Sequence, residues 1–112
     1  MNPSERTLAN IGDFTKVTPM DMEPVNASQT AQICGARGAI GDYLDHVVIV
    51  VATAATAQTS ILDGVTSVVI FPNSPGGGIG VYDVPIRATS TTGGWSITTG
   101  AGASAIAVGL FS

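Results

Sequence analysis

From about residue 31 onward the chain is a succession of short, β-branched apolar runs, each cut off by a glycine, proline or aspartate turn signal. The runs read "TAQICG" (30–35), "DHVVIVVAT" (45–53), "QTSILDG" (58–64), "VTSVVIFP" (65–72), "VYDVPIRA" (81–88), "WSITT" (95–99) and "SAIAVGLF" (104–111). No segment holds an apolar period of 3.6 residues across three turns, so helix is not expected. About seven strands spaced by roughly 8–12 residues predict an all-β domain over 31–112. Its expected form is an antiparallel β-sandwich, jelly-roll-like, or a small barrel.

Individual residues sharpen this reading. Asp63-Gly64 sits between two strand patterns and predicts a tight hairpin, because glycine tolerates the positive φ such a turn needs. Pro85 cannot donate to a ladder, so "VYDVPIRA" is expected at a sheet edge or a bulge. The continuous apolar character of "HVVIVV" (46–51) fits a strand buried on both faces, or on one face with an interface on the other. Residues 1–30 are polar, with Pro3, Pro19 and Pro24, and show no sustained period. They read either as a disordered terminus or as an extended arm that orders against a neighbouring subunit. Scattered apolar residues such as Ile11, Phe14, Val17, Met20, Met22 and Val25 favour the arm.

Charge narrows the function. Only 11% of the 112 residues are charged, and the net charge is −4. Six charges fall within residues 1–23; the rest of the chain holds only Arg37, Asp42, Asp45, Asp63, Asp83 and Arg87. A free-standing monomer normally covers its surface with mixed charge, so much of this surface is expected to face another subunit or partner. One lysine and three scattered arginines make no basic patch for nucleic acid. The start, "MNPSERTLANIGDF", has neither the basic nor the apolar region of a secretory signal. "VVIVVATAATA" (47–57) is too short to span a membrane.

No constellation for chemistry stands out, and neither enzyme activity, a cofactor nor a metal is expected. "GGGIG" (76–80) runs into a strand with no lysine nearby, so it reads as a loop and not a phosphate cradle. His46 adjoins Asp45, but neighbours on a regular strand point to opposite faces, so Asp45 is not expected to orient it. Asp42 and Asp63 read as turn residues, and "GDYLD" (41–45) offers calcium too little. Cys34 reads as a small buried hydrophobe. Arg37, alone among small residues, fits either an inter-subunit anchor or a salt bridge to Asp42. Trp95, Tyr43 and Tyr82 are core and interface filler, or else an aromatic platform for sugar beside the hydroxyls of "TTGGWSITT" (91–99). The residues expected at an interface are Phe14, Met20, Met22, Arg37, Tyr43 and Trp95.

Two stretches, "CGARGAIGDYLDHVVIVVAT" (34–53) and "TGGWSITTGAGASAIAVGLF" (92–111), resemble the capsid decoration or cement proteins of tailed bacteriophages. The resemblance covers roughly residues 34–112 and leaves the arm outside it. It implies a virion protein on the capsid exterior, often a homotrimer, that braces neighbouring major capsid protein subunits. The alternative expectation is a carbohydrate- or receptor-binding module of a virion appendage, using Trp95 and Tyr82.

Overall fold

The computed structural model describes residues 19–53, 58–72 and 78–112. Phe14, expected at an interface, lies outside them. The described residues form eight strands: β1 (Asp21–Val25), β2 (Gln32–Ile33), β3 (Tyr43–Val51), β4 (Thr59–Asp63), β5 (Thr66–Phe71), β6 (Gly80–Thr89), β7 (Trp95–Thr98) and β8 (Ala103–Leu110). The first sheet runs β1-β8-β3-β6 and the second β2-β7-β4-β5, all antiparallel. The pairs β4–β5, β3–β6, β2–β7 and β1–β8 are nested, like a long hairpin ribbon folded over on itself. That nesting is the winding of a jelly roll, and the antiparallel β-sandwich expectation holds.

The centre of the nest is local in sequence. Gly64 (φ +63°) and Val65 join β4 to β5 in a two-residue loop closed by Asp63 opposite Thr66. Positive φ at the first central position alone is the pattern of a type II′ turn, whose twist suits the hairpin.

The strand count differs from the expected seven because β1 lies in the stretch read as an arm. Val25 is buried, and Asp21–Val25 pairs with residues 105–109 of β8. Residues 21–25 therefore belong to the body and not to an arm, and residues 1–18 of the stretch read as an arm lie outside the described residues. β1 is inconspicuous in sequence because "DMEPV" contains a proline, which an edge strand tolerates.

The core comes from alternate residues of facing strands. Leu44, Val47, Ile49 and Val51 of β3 point inward beside Ala103, Ala105 and Ala107 of β8; Ile61, Trp95 and Ile97 come from the second sheet. Val47, Ile49 and Val51 on β3 lie directly opposite Ala107, Ala105 and Ala103 on β8, a large-against-small layer of the kind that interdigitates. Leu44 and Val47 are three residues apart yet both fully buried, because the register shifts between Leu44 and His46. Asp45 is the extra residue opposite β8, and Ile86 and Arg87 oppose it on β6, where Arg87 adopts φ +54°. Such a bulge restores the inward phase of the strand. β6 is an edge strand and Pro85 sits beside the bulge, as its sequence requires.

Cys34 is fully buried, and that burial, with Glu23 and Asp42 nearby, pushes its thiol up to about 12. Thr59 is also fully buried, and its Oγ1 is the buried side-chain polar atom that lacks a partner among the described residues. Replacing Thr59 with isosteric valine removes that unpartnered hydroxyl and is expected to stabilise the fold by about 1 kcal/mol. Leu44→Ala is expected to cost about 2–5 kcal/mol, because it opens a cavity between the sheets. Urea unfolding of both variants checks the two signs.

Candidate interaction surface

In an antiparallel sandwich the residues that alternate with the core normally meet water and are polar. The first sheet departs from this. Its strand register lays the outward side chains in rows: Leu110–Tyr43–Thr89, Met22–Val108–His46–Pro85, Pro24–Ile106–Val48–Asp83, and Ser104–Val50–Val81. Apolar side chains dominate three of these rows. Met22 is 64% exposed and Val81 68%, so the apolar character reaches both edges of the sheet. Four strands of about eight residues present a face of roughly 19 by 26 Å, about 500 Å². With Thr89, His46, Asp83 and Ser104 set aside, the apolar part is a few hundred Å², within the range of patches that mark interaction sites.

One end of this face is polar. The bulge at Asp45 breaks strict alternation, and His46 Nδ1 lies 2.7 Å from Asp45 Oδ2. Adjacent residues thus do meet, contrary to the regular-strand expectation. Tyr43 donates its hydroxyl to Asp45 Oδ1 at 2.8 Å. The hydrogen bonds from His46 and Tyr43 hold the Asp45 carboxyl below its usual range, helped by the nearby charge of Arg87. The same bond to Asp45 raises the Tyr43 phenol. Among the described residues no serine, threonine or cysteine hydrogen-bonds His46.

The other expected interface residues divide. Met20 and Met22 are exposed at the β1 edge, and Tyr43 is half-buried on the outer face. Arg37 is exposed in the loop after β2 and makes no ion pair among the described residues; its amide donates to the Ser112 carbonyl at 3.0 Å. The salt bridge to Asp42 is not formed. Asp42 instead accepts the Ala39 amide, the Ser112 amide and the Ser112 hydroxyl, all at 3.0–3.2 Å. Trp95 is a correction: only 5% exposed, it lies in the core and donates Nε1–H to the Asp42 carbonyl at 2.9 Å. A buried indole with its donor satisfied presents nothing to a partner or a sugar. Tyr82 packs against Phe71, ring centroids 5.1 Å apart, and its hydroxyl donates to Gly78 O. The three aromatics therefore form no common platform.

Asp63, read as a turn residue, does more than turn the chain. Its carboxylate accepts the amides of Thr91 and Thr92 at 3.0 Å and the hydroxyls of both. A Cβ on Gly93 would sit 2.6 Å from the Gly64 Cα, so only glycine allows this backbone-on-backbone approach. Asp63 thereby latches the β6–β7 loop onto the β4–β5 turn. Its hydrogen bonds, the Thr92 amide foremost, pull the carboxyl down to about 2.

Among the described residues no cavity suited to a small ligand opens, and no three His, Cys, Asp or Glu side chains come together. The apolar outer face of the first sheet, whose cross-strand pairing cannot be read along a single run, is the feature most suited to function. Comparison with protein-family models, curated proteins and solved structures finds no match.

The latch has a pH signature. A depressed folded-state carboxyl contributes stability that is fully present above its unfolded value of about 4. That stability is lost as pH falls toward about 2. Asp63→Asn is therefore expected to lower the urea midpoint at pH 7 and to flatten its decline between about pH 4 and 2, checked by unfolding curves across that window.

Proposed function

We propose that this chain is a structural interaction protein of a virion, which decorates and stabilises a tailed-bacteriophage capsid by binding major capsid protein subunits at the exterior. The observation that carries the reading is the continuous apolar outer face of the first sheet, running from Met22 on β1 to Val81 on β6. The virion context comes from the resemblance of residues 34–53 and 92–111 to capsid decoration proteins. The jelly roll itself is neutral on this point, since it serves capsid proteins, lectins and cupins alike. The carbohydrate alternative loses its support, because Trp95 is buried and Tyr82 is engaged with Phe71.

The energetics favour a protein that acts in numbers. Were the whole face of about 500 Å² apolar, burial at about 25 cal/mol per Å² would give roughly 12 kcal/mol before costs, and its polar positions bring the figure below that. Association itself costs about 4–15 kcal/mol. One copy binds modestly, whereas copies joined as a homotrimer, the state the resemblance implies, gain avidity on a repeating shell.

The test is co-sedimentation of the purified chain with phage heads that lack it. Saturable binding is expected, together with a higher temperature for head disruption. Val81→Asp places a charge on an exposed part of the face and is expected to weaken head binding at least tenfold while leaving the circular dichroism unchanged. Deleting residues 1–18, which spares β1, is expected to leave a folded domain with weakened attachment. Heads that bind neither the intact chain nor the truncated one would refute the reading.

A further inference from the structure

Among the described residues four strands form the edges of the two sheets: β1 and β6 in the first, β2 and β5 in the second. An open edge presents unpaired amides and carbonyls to any other strand, and proteins blunt it with proline, charge, bulges or brevity. β1 carries Asp21, Glu23 and Pro24, and Gln32 Nε2 caps the Pro24 carbonyl at 3.0 Å. β6 carries Asp83, Pro85 and Arg87 and lies against the bulge. β2 is only two residues long. β5, "TSVVIF", has no proline and no charge over six residues, and its register irregularity is confined to its far end opposite Thr59. Val68 is 52% exposed and Val69 46%.

The hairpin fixes what this edge offers. Asp63 and Thr66 close a two-residue loop and so form a hydrogen-bonded pair, after which bonded and non-bonded pairs alternate. Thr66 and Val68 therefore turn their amides and carbonyls toward β4, while Ser67 and Val69 turn theirs toward the open side. An identical antiparallel strand answers this pattern. With a two-fold axis through Val68, Ser67 lies opposite Val69 of the second copy, and Val69 lies opposite Ser67 of the second copy. The two Val68 side chains then meet at a non-hydrogen-bonded position, where opposite side chains come closest. Self-pairing of β1 would set acidic residues against one another, whereas β5 brings no like charges together.

We propose that β5 is a homotypic docking edge, through which two copies join their second sheets into one continuous eight-stranded sheet. Ser67 and Val69 of each copy supply the bridging backbone hydrogen bonds. The strip is about 20 Å long and about 10 Å deep, roughly 400 Å² over both partners. A stable interface needs about 1,000 Å². The pairing is therefore weak and concentration-dependent in free solution, and gains force where copies are held close together. It is independent of the capsid reading and of any three-fold contact through the first sheet.

Sedimentation velocity from roughly 10 µM to 1 mM is expected to show a reversible monomer–dimer shift. Ser67→Pro removes an outward amide but no bond to β4, and Val68→Lys puts two charges on the axis; each is expected to weaken self-association at least tenfold, with circular dichroism confirming the fold. Val68→Cys is expected to form disulfide-linked dimers on mild oxidation at least tenfold faster than Ile40→Cys, an exposed loop control, with buried Cys34 silent in both. Equal crosslinking of the two, or a chain that stays monomeric throughout, would overturn the proposal. A monomer–dimer shift that Val68→Lys and Ser67→Pro both leave unchanged would also overturn it.

Discussion

Everything in this fold depends on nested antiparallel pairing around one tight turn. The β4–β5 hairpin closes at Gly64-Val65, and each outer pair of strands then closes a longer loop, ending with β1 against β8. The entropic cost of closure grows only slowly with loop length once an inner pair has formed. Contacts of such long sequence separation nevertheless slow the search for the native state. A chain this poor in charge and rich in valine needs an early local seed, because its apolar runs are hazardous while unpaired. The Asp63-Gly64 step is the most local closure in the nest, and the Asp63 carboxylate holds the distant Thr91–Thr92 loop against the same turn.

The few acidic residues of the body are spent largely on the backbone. Asp42 satisfies the amides of Ala39 and Ser112, Asp63 those of Thr91 and Thr92, and Glu23 that of Gly35 while also holding Gln32. Buried or half-buried amides need such acceptors, and a carboxylate accepts several at once. The chain therefore has fewer solvating charges than its composition suggests. That sharpens the contrast between a well-satisfied loop end and the apolar outer face of the first sheet.

The sequence makes the strands legible where one residue has one meaning. Pro85 places β6 at an edge, Asp63-Gly64 marks the hairpin, and the β-branched run at 46–51 marks a central strand. It hides whatever depends on register. β1 escapes notice because Pro24 breaks its pattern, and only pairing with β8 makes it a strand. The Asp45–His46 contact escapes because a bulge suspends the alternation from which side-chain direction is read. Trp95 reads from the sequence either as core and interface filler or as a surface platform, and only its buried position, with the Asp42 carbonyl taking its proton, decides for the core. The run at 46–51 offers an interface on the outer side of β3 as one of its two readings, but the extent of the apolar face is hidden, since its rows exist only across strands.

The seating of β1 also decides how the body bears mechanical load. Asp21, the first residue of β1, lies opposite Gly109 near the end of β8, so tension on the preceding residues enters the body through this edge strand. Tension directed away from the sheet opens the ladder one bond at a time, starting at Asp21. Tension along the strand loads all five residues of β1 in shear together. The direction of pull on the chain before Asp21 thus selects between a joint that unzips and one that holds.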